Sequence, residues 1–305
     1  MKTNLAILTM LAAATLVAAQ SAPSKSQSPA QGAQTQTQPA TATHQPQAKT
    51  KDEFDAYQAA AAETDPAKLE AAADAFAQKY PTSDLRALLY VRDMSLYQQA
   101  NNAAKVIEVG RKAIVIDATN PVPLVNTASA LAETTHDSDL DHEARLNEAG
   151  KDAQSAIDNM SNLQVPPNVS ADRVAQVKAS ILSMAYDALA VVEMNKKDYA
   201  TAEQNLLKAT DASKNQPEGV IYLRLSVVQD NLKKYPEALD SATKAVQYSP
   251  DGSPEQNLAK QQLSRVQKLM MSAPAPAPGS SPSPAPSNNP NPPNPQTQTP
   301  PPQPH

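Results

Sequence analysis

The chain has 305 residues and a mass of 32.3 kDa, with 26 Lys+Arg against 31 Asp+Glu. It contains no cysteine, which excludes disulfides, a thiol nucleophile, an iron–sulfur cluster and a zinc finger. With no tryptophan and only two phenylalanines, any core must be built from Ala, Leu, Val and Ile.

The first residues have the anatomy of a secretory signal peptide. Lys2 supplies a positive start and Leu5–Val17 an apolar run, and Val17 and Ala19 form a small-residue cleavage site before Gln20. A membrane anchor needs roughly 20 apolar residues, more than this run offers, and no second run of spanning length follows. Residues 1–19 are therefore read as a cleaved leader, and the mature chain as exported, periplasmic or secreted, with no membrane span. Residues 20–50 are Gln, Ala, Ser, Thr and Pro with almost nothing large and apolar, which predicts a disordered linker.

Residues 51–271 carry 23 of the Lys+Arg and all 31 Asp+Glu, a net charge of −8. An acidic body argues against nucleic acid as a partner. The pattern is amphipathic blocks punctuated by Pro, Asn, Asp and Gly, with no alternating strand pattern. Helices are predicted over 52–62, 66–79, 84–100, 102–117, 121–134, 139–160, 171–195, 198–213, 217–233, 236–248 and 254–271. Asp65-Pro66 and Tyr235-Pro236 place proline in a first turn, where its missing N–H costs nothing. Ser170 and Ser253 stand where N-caps belong. In the last block Leu258, Leu263, Val266 and Leu269 make one stripe, as a capping helix requires. Residues 272–305 hold the remaining prolines, 14 of 28 in 273–305, and no charge. They favour polyproline II, which at about 3.1 Å per residue reaches about 100 Å. Pro292-x-x-Pro295 and Pro301-x-x-Pro304 have proline-ligand spacing without a flanking cation, so this tail reads as a spacer first and a ligand second.

Two helix pairs repeat at an offset of 36. Tyr186, Leu189, Tyr199, Ala202 and Ala209 recur as Tyr222, Leu225, Tyr235, Ala238 and Ala245. This pattern resembles the tetratricopeptide repeat. Residues 219–252 match at Tyr222, Leu225, Ser226, Tyr235, Ala238, Ala245 and Pro250. Residues 183–216 match similarly, with Lys214 in place of the proline. A weaker unit at 87–120 offers Tyr90, Tyr97 and Ala113 but has Val106 and Ala118 where the family has alanine and proline. Residues 66–82, with Phe76-x-x-x-Tyr80-Pro81, are similar to the second helix of an envelope-type member, and 121–160 to a unit with a stretched turn. The resemblance implies an all-α, right-handed solenoid of antiparallel helix hairpins flanked by disordered linkers, in which at least three stacked pairs bury a continuous core. It places the four tyrosines 186, 199, 222 and 235 at packing positions.

No nucleophile elbow, metalloprotease helix or phosphate loop is present, so neither an enzyme nor a cofactor is expected. One polar cluster, residues 136–143, puts Asp137, Asp139, Asp141 and Glu148 at the acidic positions of a calcium loop. His142 stands where that loop needs glycine, and 143–148 read as helix. Aspartates capping the next helix are the simpler reading, with a His136/His142 metal site as a further alternative.

The resemblance also implies a partner surface, because the first helix of each unit lines the concave face. The residues concerned are Met184, Asp187, Val191, Met194 and Asn195, then Val220, Leu223, Val227, Asp230 and Asn231. They make a mildly acidic, partly apolar groove without the basic clamp that some members use for a terminal carboxylate. The groove suits an apolar segment of a protein or peptide carrying a basic residue, though neighbouring helices can cover part of this face. The expected role is a non-catalytic interaction scaffold of the bacterial cell envelope. The alternative is a structural spacer whose Pro-rich tail contacts cell wall or a membrane complex.

Overall fold

The computed structural model describes residues 46–165 and 169–272. The leader-like segment 1–19, residues 20–45 of the linker and the tail 273–305 lie outside the described residues. Among the described residues there are eleven α-helices and no strand. They are α1 (Lys51–Ala61), α2 (Pro66–Lys79), α3 (Leu85–Gln99), α4 (Ala103–Ile116), α5 (Pro121–Thr134), α6 (His142–Asp158), α7 (Ala171–Asn195), α8 (Tyr199–Ala212), α9 (Gly219–Asn231), α10 (Tyr235–Tyr248) and α11 (Pro254–Ser272). A single 3-10 turn, Met160–Asn162, follows α6.

Local chemistry explains where the helices begin. Asp65 accepts from the Lys68 amide, with Pro66 at the first helical position. Ser170 accepts from Arg173 and Ser253 from Gln256. Asn102 and Asp198 cap α4 and α8 in the same way. Each such cap contributes about 1 kcal/mol by satisfying an amide that the helix leaves free. The first described residues are tied down too. Thr50 caps α1, and the Lys49 ammonium donates to the Thr82 carbonyl.

Packing follows one rule along the chain. Each even-numbered helix from α2 to α10 packs against the helix before it and the helix after it. That is the connectivity of a helical-repeat solenoid, in which each pair buries its open face on the next. Small side chains allow the close crossings: Ala202, Ala209, Ala238 and Ala245 have no exposed surface. Gly219 is needed for the same reason, since a Cβ there would meet the Ser249 hydroxyl at 2.2 Å and the Ala245 carbonyl at 2.9 Å. Fully buried Leu69, Leu89, Leu131, Ile181 and Leu206 supply the larger pieces of the core, each stabilising by about 1.5–3 kcal/mol. Three apolar clusters result, and α7 contributes to all of them.

The turn inside a unit repeats in atomic detail. Asn101, Lys197 and Lys233 have φ of 53°, 63° and 61°. They occupy the same place in units 87–120, 183–216 and 219–252. After each one, an amide reaches back to the carbonyl five residues before it: Asn102 to Tyr97, Asp198 to Glu193 and Lys234 to Gln229. This is the Schellman closure of a helix end. A tyrosine–lysine stack recurs in register with it. Lys112 lies 5.6 Å from the Tyr90 ring centre, Lys208 5.3 Å from Tyr186 and Lys244 5.8 Å from Tyr222. The weak unit at 87–120 thus shares the turn and the stack of the other two.

Two expectations change in detail. The buried stripe of α11 runs through Gln256, Ala259 and Val266, while Leu258 is 47% exposed. Gln256 rotates the helix by bonding the Gly252 amide and the Asp251 carboxylate. The block expected from 139 begins at 142, because Asp139 folds the preceding residues into a turn by accepting from the His136 amide.

Candidate interaction face

Three odd-numbered helices share one face, and one arginine joins them. Arg224 of α9 pairs with Asp187 of α7 and with Glu133 at the end of α5, the latter at 3.1 Å. The three side chains are 14–20% exposed. Burial opposes the Arg224 charge, but Asp187 and Glu133 more than offset it and raise its pKa. Burial likewise lifts the Asp187 carboxyl; Arg224 pulls it back and Glu133 adds to the rise. Asp187 Oδ1 is buried with no hydrogen-bond partner in the protein. Glu218, just before α9, is raised by burial and by the Asp187 charge. One guanidinium therefore faces three carboxylates, and the face keeps an acidic surplus.

The ten groove residues divide sharply. Met184, Val191, Met194 and Val220 pack against the apolar clusters. Asp187 and Asp230 are ion-paired within the fold. Asp230 is buried and accepts from Arg265 at 2.7 Å and Gln262 at 3.3 Å, both on α11. Asn195 and Asn231 turn back to donate to the Val191 and Val227 carbonyls at 2.8 Å. Leu223 and Val227 alone are half-buried apolar side chains outside the three clusters. All six apolar residues of the face are half-buried; Leu223 and Val227 flank Arg224 outside the packed clusters, and α11 closes over Asp230. Sequence reasoning passed over Arg224, Glu133, Glu218 and Arg265. The available signal was Arg224, a charge at the place where the preceding unit has Ala188.

The calcium-loop residues are not brought together. Glu148 lies inside α6 and forms a two-pronged pair with Arg111, at 2.7 and 2.6 Å. Asp139 is used by the His136 amide, and Asp137 is 86% exposed and 3.5 Å from His142. Asp141 stands at the N-cap of α6 without a side-chain cap bond, so capping accounts for its position only. His136 and His142 each face an aspartate rather than one another. Among the described residues no group of three or more His, Asp or Glu side chains is placed to hold a metal ion.

A second polar cluster lies between α2, α3 and α4. Glu70 accepts from the Tyr97 hydroxyl at 2.7 Å and from Lys105 and Lys112. Burial alone would raise its carboxyl; these three donors bring it down to about 2. Beneath them Asp93 has no exposed surface and neither oxygen has a hydrogen-bond partner. Burial, reinforced by the Glu70 charge, pushes it up to about 7.

No family model matches the chain, and no curated protein matches it. Among solved structures, the crystal structure of the APC/C hetero-tetramer Cut9–Hcn1 is similar, with 14% identity and a TM-score of 0.34 over 72% of this chain. The match takes in 42% of that longer chain. A likeness at that level decides neither fold nor function, and the helical-repeat architecture rests on the packing and turns of this chain itself.

Proposed function

We propose that this chain is an exported, non-catalytic scaffold of tetratricopeptide type that works in the bacterial cell envelope. It holds an apolar segment of a protein partner, bearing a basic residue, on the face shared by α5, α7 and α9. One observation carries the reading. Arg224 locks three helices into a single surface, leaves unneutralised carboxylate beside it and leaves Leu223 and Val227 half-buried there. A rigid face with an apolar step and an acidic edge binds at low ordering cost and selects its partner by charge. Export is supported by the Lys2, Leu5–Val17 and Ala19 pattern; among the described residues no helix is long and apolar enough to cross a membrane.

The test is photo-crosslinking in cells, with the reactive side chain at Val227 or, on the opposite kind of surface, at exposed Val115. The expected outcome is one adduct from position 227, lost on Leu223→Asp and absent from position 115. Identical adducts from both positions would overturn the reading. Export is checked by the mass of the mature protein, which should begin at Gln20.

A further inference from the structure

The turn between α5 and α6 is longer than its counterparts and is built to present one side chain. Leu140 stands at its tip at 107% relative exposure. A leucine left in water gives up the stabilisation that burial would bring. The loop beneath it is fastened at both ends. Arg145 of α6 donates to the hydroxyls of Thr135 at 3.0 Å and Thr134 at 2.9 Å. The Asp139 carboxylate accepts from the His136 amide at 2.8 Å, and the His142 amide donates to the Asp139 carbonyl at 3.2 Å. Around the leucine stand Asp137, Asp141 and Glu143, all exposed. Such a finger suits an apolar groove with a basic rim.

One groove of that chemistry is on the same chain. Along the outer side of α11, Lys260, Gln261, Ser264, Arg265, Lys268 and Leu269 line an open depression, and Met271 nearby is 85% exposed. Lys260 and Lys268 are exposed, and among the described residues neither pairs with an acid. The charge of the chain is divided to match. Residues 51–165 hold 19 Asp+Glu against 10 Lys+Arg, whereas α11 holds three cations and one acid. Residues 273–305 hold no Asp or Glu to meet Lys260 and Lys268, which disfavours them as the occupant. We propose that the Leu140 finger of one copy docks in the α11 groove of a second copy, giving a heterologous, head-to-tail association. Its anchor is one leucine, and its specificity comes from Asp137, Asp141 and Glu143 against Lys260 and Lys268. A contact of this size belongs at the weak end of protein interfaces.

The test is sedimentation equilibrium of the full chain across concentrations up to about 100 µM, low enough to exclude nonspecific association and high enough for a weak interface. The wild type is expected to rise above monomer mass, and to rise less in 0.5 M salt. Leu140→Asp and, separately, Lys260→Glu with Lys268→Glu should each weaken association at least tenfold. Both variants alter only exposed side chains, so unchanged helical circular dichroism is the control. An equimolar mixture of the two variants retains one intact finger and one intact groove. It should form a 1:1 dimer and nothing larger. A monomeric wild type, a monomeric mixture, or loss with only one of the two variants would overturn the proposal; the last of these would mean that the finger docks elsewhere.

Discussion

Unit 87–120 and units 183–216 and 219–252 share a turn but not a core. Asn101, Lys197 and Lys233 adopt the same left-handed conformation and the same closing hydrogen bonds. The stacked tyrosine and lysine recur as well. Yet where the later units pack the half-buried Leu189 and the buried Leu225, the first buries Asp93, below Glu70, Asp74, Lys105 and Lys112. The backbone of a unit is held by its turn and its helix crossings. These tolerate a carboxyl group inside, provided it can keep its proton.

The largest effect is expected from giving a later unit the residue of the first. Leu225→Asp removes a packed side chain and buries an unpaired carboxylate, and should cost about 4 kcal/mol in a urea titration. The reverse exchange, Asp93→Leu, should stabilise by about 2 kcal/mol above pH 7, because a buried charge is replaced by a leucine. Its pH dependence has a definite sign. Folding raises the Asp93 pKa to about 7 from about 3.9 in the unfolded chain. The folded state then holds the extra proton, so this group's contribution is full at low pH and lost as pH climbs from about 4 to 7. The advantage of Asp93→Leu over wild type should accordingly grow across that window and level off above it; a constant difference would refute the assignment. The smallest effect probes the shared turn. Lys233→Gly relieves a positive φ that costs a side-chain-bearing residue about 1–2 kcal/mol, against the extra entropy of glycine. A net gain of about 0.5–1 kcal/mol is expected, and less from Asn101→Gly, since asparagine tolerates that conformation.

Most of the fold was legible because it is written in local signals. Asp65-Pro66, Ser170 and Ser253 mark helix starts, and the alanines at 202, 209, 238 and 245 mark close crossings. The units were found from Tyr and Ala spacing, yet the turn residues were silent. Lys197 and Lys233 carry a side chain that gives no left-handed signal and Asn101 carries another, and with few glycines in the chain nothing advertises a left-handed turn. The proposed interaction face was legible as a set of positions on α7 and α9 and not as the network that joins them. Helical position puts Asp187 and Asp230 on it. That Arg224 neutralises the one and Arg265 covers the other depends on how α9 and α11 cross their neighbours, which spacing along one helix does not encode. Of the α11 stripe only Leu258 falls outside, for a similar reason, since Gln256 looks like a surface residue until Asp251 and Gly252 bind it.

Helix α7 has a mechanical consequence. It is 25 residues long and lends side chains to all three apolar clusters among the described residues. A row of repeats coupled only to nearest neighbours can fray inward from either end, one pair at a time. Here such fraying meets a keystone. The outer pairs can open without it, but once α7 lifts, all three clusters lose part of their lining together, and the opening is expected to spread to both sides as one event.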